Sequence, residues 1–152
     1  MKWIPHRKPL HNRLTRRMWR KSGYLYLPCD SFFCIPVSDD KLVLMLIDTG
    51  TTANILRKDF VEYMLNPSQI KYVPSDSIMT ASGNIASKGL LWIPFEDSNG
   101  RIYREDFLVI EKADSLEWLS KETGYYVAGI LGTSFMERHK MIINFKTKEV
   151  VL

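Results

Sequence analysis

Strand-forming segments dominate this chain, and the sequence predicts an all-β domain with one to three short helices, arranged as a closed or nearly closed β-barrel. Two observations carry that reading. Short apolar runs recur between turn residues over residues 24–152, and only brief stretches show helical spacing. One run, Leu42-Val43-Leu44-Met45-Leu46-Ile47, is apolar without alternation, which predicts burial on both faces. A length of 152 residues suits one domain with a real core, and 45% hydrophobic with 25% charged residues is ordinary for a soluble globular chain.

Residues 1–23 read as a separate basic arm. Lys2, Arg7, Lys8, Arg13, Arg16, Arg17, Arg20 and Lys21 meet no acidic residue before Gly23, so the remainder is net negative although the whole chain is +4. Leu10, Leu14 and Met18 recur every four residues, the spacing of a short amphipathic helix. Such an arm can dock on the domain, bind nucleic acid or an anionic membrane, or be removed as a propeptide. Neither a signal-peptide core nor a membrane span is seen, which makes the cytoplasm the expected compartment. Cys29 and Cys34 would point to opposite faces of a strand and have no second pair to complete a metal site, so they are expected as reduced thiols.

The domain, residues 24–152, opens with strands Phe32–Val37 and Lys41–Ile47 around the turn Ser38-Asp39-Asp40. A short helix is predicted over Arg57–Leu65, with Phe60, Val61 and Met64 at helical spacing and Asn66-Pro67 ending it. Strands follow at Gln69–Val73, Ser77–Ala81, Ile85–Phe95 and Arg101–Ile110, the last two joined by the turn Asp97-Ser98-Asn99-Gly100. Asp114–Glu122 reads as a helix closed by Gly124, and Tyr125–Leu131 as a strand. Ser134 and Glu137 form a capping-box pattern over a brief helix, and Lys140–Phe145 and Glu149–Leu152 end the chain as strands. Trp92, Trp118, Phe107 and Phe135 are expected in the core, and His139 at a surface or helix end. Asp59, Asp97, Asp106 and Asp114 are expected in turns or at helix starts.

Chemistry concentrates at Asp48-Thr49-Gly50, which follows the buried apolar run and precedes Thr51, Thr52 and the apolar Ile55-Leu56. A carboxylate at the end of a core strand sits where burial and neighbours act on it. A second element follows in order: Gly129-Ile130-Leu131-Gly132-Thr133-Ser134-Phe135-Met136, then Ile142-Ile143-Asn144-Phe145. On these two motifs the chain resembles the retropepsin-like aspartic peptidases over about residues 24 to 152. The resemblance implies the retropepsin-like acid protease β-barrel and an endopeptidase needing no cofactor. Its substrate is a peptide or protein, and its catalytic residues are Asp48, Thr49 and Gly50. Water activation needs two close carboxylates sharing a proton, and the chain has one such motif, so a homodimer facing Asp48 with Asp48 is expected. Gly50 allows close backbone approach, and the resemblance implies that the Thr49 hydroxyls brace the two loops across the dimer. Ile78–Ala86 is the candidate flap, with Ser82-Gly83-Asn84 at its tip; Thr51, Ala81, Ser82, Gly83 and Asn84 are the candidate substrate-binding residues.

Two other readings share these residues. The same barrel can serve dimerisation or peptide binding without catalysis. Asp48-Thr49-Gly50-Thr51-Thr52 also resembles the phosphate-binding loop of sugar kinases with the actin-like fold, but that fold needs two large α/β domains, and this chain is too short and too rich in strands.

Overall fold

The computed structural model describes residues 25–27, 32–38, 43–75, 78–80, 83–96 and 100–152. Along them run β1 (Leu25–Leu27), β2 (Phe32–Ser38), β3 (Val43–Ile47), β4 (Ile55–Arg57), α1 (Lys58–Met64) and a 3₁₀ turn (Pro67–Gln69). Then come β5 (Ile78–Thr80), β6 (Gly83–Ile85), β7 (Ser87–Glu96), β8 (Ile102–Ile110) and α2 (Asp114–Thr123). β9 (Tyr126–Leu131), α3 (Thr133–Arg138), β10 (Ile142–Asn144) and β11 (Glu149–Val151) complete the chain. The basic arm and its proposed helix, the turn residues 39–40 and 97–99, and Cys29 lie outside the described residues.

Seven strands form one sheet in the order β1-β2-β3-β9-β4-β8-β7, with β5-β6 and β10-β11 as separate two-stranded sheets. The sheet curls so that β2 approaches β7. β3 lies inside the sheet, between β2 and β9, because its side chains are apolar on both faces. Val43, Met45 and Ile47 enter a core with Leu56, Phe60, Phe107, Val109 and Phe135. Leu44 and Leu46 enter a second core with Ile110, Leu116, Leu119 and Val127, which α2 covers. All five β3 residues are buried, as the unbroken apolar run predicts, and each such side chain contributes about 1.5–3 kcal/mol relative to exposure.

Local chemistry sets the helix limits. In the first turn of α1, Asp59 Oδ1 accepts the Phe60 N–H at 3.0 Å, and the Asp59 carboxylate also holds the buried Arg57 guanidinium at 2.7 Å. Pro67 cannot continue that helix. α2 starts with acidic Asp114 and Glu117 beside its positive end and stops at Gly124, which is left-handed at φ 74°.

Several expectations need correction. Gln69–Val73 is not a strand: the Asn66 N–H donates to Gln69 Oε1, the turn closes over Pro67–Gln69, and only Val73 bridges to Leu90. Met64 is exposed, because the inward face of α1 is Phe60 and Val61. Trp92 and Trp118 are 56% and 52% exposed, whereas Phe107 and Phe135 are buried as expected. Leu91 and Ile93 take the inward positions of β7, and Leu116 and Leu119 those of α2, leaving both tryptophans outward. Asp106 lies within β8 rather than in a turn, exposed on the outer face. Asp59 and Asp114 do stand at helix starts.

Candidate active site

Parallel pairing assembles the site. β3 and β9 run side by side with Ile47 in register with Leu131, so the residues that leave both strands, Asp48 and Gly132, emerge together. The Asp48 N–H donates to Leu131 O at 3.1 Å and extends the ladder by one bond. The chain then turns through Thr49 and Gly50, and Asp48 Oδ1 accepts the Gly50 N–H at 2.7 Å. Asp48 is half-buried, Thr49 and Gly50 are exposed, and Thr51 is half-buried. A Cβ on Gly50 would stand 3.0 Å from Asp48 Oδ1, so the missing side chain is what lets backbone and carboxylate meet. Among the described residues no second carboxylate bonds to Asp48.

The second motif clamps the first. The Thr133 N–H donates to Thr51 O at 2.8 Å, and the Ser134 N–H to Thr52 O at 3.2 Å. These are the opening amides of α3, which lack partners within a helix. The expected capping box of Ser134 and Glu137 is therefore not formed: Gly132 occupies the cap position, no side chain caps the helix, and loop carbonyls take the amides. Gly132 is required by proximity, since a Cβ there would lie 2.5 Å from Ala53 O and 2.8 Å from Thr51 O.

Asn54, 3% exposed, closes the loop from beneath. Its Oδ1 accepts the Gly132 N–H at 3.1 Å, and its Nδ2 donates to Glu105 Oε2 and Asp106 O, each at 3.3 Å. Its backbone carbonyl accepts the Leu108 N–H at 2.9 Å. Glu105, also 3% exposed, binds Arg138, whose Nη2 donates to Oε2, and His139, whose Nε2 lies 2.8 Å from Oε1. His139 stands at a helix end as expected, but it is half-buried against Phe135, with ring centroids 4.3 Å apart. None of Asn54, Glu105 or Arg138 was singled out from the sequence. A signal existed for Glu105: Tyr103, Phe107 and Val109 alternate inward along β8, and period two places the glutamate among them.

The flap candidate is a hairpin, but its limits differ from those expected. Met79 pairs with Asn84 and Thr80 with Gly83. Gly83 and Asn84 therefore belong to β6 rather than to a tip over Ser82-Gly83-Asn84, because the strand pairing extends through them. Ala81 and Ser82, which connect the strands, lie outside the described residues.

No family model and no curated protein matches the chain. Among solved structures it is similar to the retroviral protease-like domain of Ddi1 from Leishmania major, at 20% identity over 78% of this chain and 83% of that one, TM-score 0.54. It is also similar to the EIAV protease complexed with the inhibitor HBY-793, at 16% identity over 74% and 85% of the two chains, TM-score 0.46. A retropepsin-like aspartic protease from Rickettsia conorii matches at 20% identity over 76% and 78%, TM-score 0.45. The likeness to the Leishmania domain, with the strand content described above, shows that this chain has the retropepsin-like fold. Among the described residues no helix is long and apolar enough to cross a membrane.

Proposed function

We propose that the chain is an aspartic endopeptidase whose site forms when two copies bring their Asp48 carboxylates together. The observation that carries this reading is the placement of Asp48: a half-buried carboxylate at the end of a core strand, in a loop clamped at Thr51 and Thr52 by α3 amides. In the reaction, the ionised carboxylate of the pair takes a proton from water, which adds to the peptide carbonyl carbon while the protonated carboxyl gives its proton to the oxygen. Collapse of the tetrahedral diol breaks the C–N bond, and the leaving nitrogen takes the proton from the carboxyl that had accepted it from water. A diol hydroxyl gives its proton to the other carboxylate as the C=O of the acid forms, and the pair is left with the single proton it began with. Thr49 is proposed to brace the two loops. Thr51 and the hairpin residues Ala81, Ser82, Gly83 and Asn84 are proposed to hold an extended peptide. A homodimer is supported by the β10-β11 hairpin, where Ile142, Phe145 and Val151 are each more than half exposed.

A monomer holds half a site, so peptide cleavage per chain should fall on dilution, in step with the dimer fraction measured by sedimentation. Constant specific activity across a range in which the chain passes to monomer would refute the shared dyad.

For residues 1–22 the spacing of Leu10, Leu14 and Met18 supports a helix docked on the domain, since a purely electrostatic tether has no use for an apolar face. Deleting them should lower the melting temperature by roughly 3–6 °C, on the order of 1–2 kcal/mol. Unchanged stability with salt-sensitive loss of binding to nucleic acid or anionic vesicles would assign the arm to a tether. Self-cleavage near Ser22-Gly23 with a gain of activity would make it a propeptide.

A further inference from the structure

We infer that Asn54 and Glu105 are positioning residues for Asp48: a buried amide–carboxylate pair that locks the loop after Asp48 onto Gly132. This rests on the peptidase reading only for its kinetic consequences. Glu105 occupies an inward position of β8 between Tyr103 and Phe107, both 1% exposed, where an apolar side chain would complete the core. A charge there requires compensation, and apolar replacement of buried ion pairs is often neutral or stabilising, so stability alone gives little reason for a glutamate.

The geometry supplies another reason. An asparagine amide is nearly symmetric in shape, and its two ends are told apart only by their partners. The Gly132 N–H needs an acceptor, and only Oδ1 provides one; the amide is held that way round because Glu105 Oε2 and Asp106 O accept from the other end. Among the described residues, Glu105 meets Arg138 and His139, both from the end of α3, and the buried Tyr103, its neighbour on the inward face of β8, packs its ring edge-on to His139. α3 thus grips the loop twice, at its start through Thr133 and Ser134, and at its end through Arg138, His139, Glu105 and Asn54.

Asn54→Asp tests the pair with little change of shape. One new carboxylate oxygen still accepts from Gly132, but the other faces Glu105 and the Asp106 carbonyl, acceptor against acceptor. At neutral pH kcat should fall about 100-fold with KM changed by less than about threefold, the cost of a displaced catalytic group. At acidic pH two such close carboxylates share a proton, which restores a donor, so the activity ratio to wild type should recover as pH falls. The double variant Asn54→Asp/Glu105→Gln returns a donor to the contact and keeps the net charge, while giving up the Arg138 bond to the same Glu105 oxygen. At neutral pH it should regain activity to within about fivefold of wild type, taking the recovered hydrogen bond as the main effect.

Amide exchange gives a readout that needs no turnover: the Thr133 and Ser134 N–H groups should exchange faster in Asn54→Asp and return towards wild type in the double variant. Full activity of Asn54→Asp at neutral pH overturns the inference. So does a loss that neither acid nor the second substitution repairs. A wild-type chain that cleaves nothing counts against the peptidase reading, and unchanged exchange in Asn54→Asp then counts separately against the pair.

Discussion

If the chain works as proposed, Asp48→Asn should abolish peptide cleavage, lowering kcat/KM by at least ~10⁴-fold, while the fold and the dimer persist. The size follows from both roles of the carboxylate. In the proposed dimer every site would hold two copies of residue 48, so the variant would remove both the group proposed to take the proton from water and the group proposed to protonate the carbonyl oxygen. The fold survives because asparagine keeps an oxygen where Asp48 Oδ1 accepts the Gly50 N–H, and because Asp48 is only half-buried. Its melting temperature should stay within about 2 °C of wild type, as for other substitutions outside the core. Mixing supplies the sharper check. With free exchange of subunits, an equal mixture of wild type and variant leaves about one quarter of dimers with two aspartates, so activity falls to about one quarter. A fall to one half means that each chain works alone, and full activity of the pure variant excludes the aspartic mechanism.

Much of the arrangement around Asp48 is legible in the sequence, for a definite reason. A six-residue apolar run without alternation needs cover on both faces, and β3 has it from two cores, so the residue that follows lies at the end of an inner, buried strand. The two motifs stand about eighty residues apart, yet parallel pairing of β3 with β9 brings them into register, and their order in the chain survives as adjacency in space. What escaped was decided by direction rather than composition. Trp92 and Trp118 looked like core because they are large and aromatic, but their neighbours Leu91, Ile93, Leu116 and Leu119 already fill the inward positions. The Ser134–Glu137 pattern looked like a cap, but whether a side chain caps a helix depends on what else reaches its amides, and here the carbonyls of Thr51 and Thr52 do. Glu105 lay in plain view at an inward position of β8, and only its partners Asn54, Arg138 and His139, remote in sequence, explain it.

Gly132→Ala and Gly50→Ala should separate folding from catalysis. At Gly132 the backbone angle of φ −89° is open to any residue, so the penalty is entirely one of space. The added methyl would meet Ala53 O at 2.5 Å, Thr51 O at 2.8 Å and the Thr52 carbonyl carbon at 2.8 Å, all backbone atoms that cannot rotate aside. Relief requires the loop to move off β9, against the bonds from Thr133 to Thr51 and from Ser134 to Thr52. Overpacking of this kind costs about 3 kcal/mol, near the upper end of its usual range, which is a fall of roughly 6–12 °C in melting temperature, with activity lost because Asp48 moves with the loop. At Gly50 the nearest atom is Asp48 Oδ1, at 3.0 Å, the end of a side chain that can turn. Gly50→Ala should therefore melt within about 3 °C of wild type yet lose on the order of 100-fold in kcat, because relieving the contact turns the carboxylate out of its catalytic position. Thermal melts and peptide kinetics on both variants decide it. If Gly132→Ala were as stable as wild type, the clamp between the two motifs would be looser than its geometry requires. If Gly50→Ala were fully active, the orientation of Asp48 would not depend on the turn that follows it.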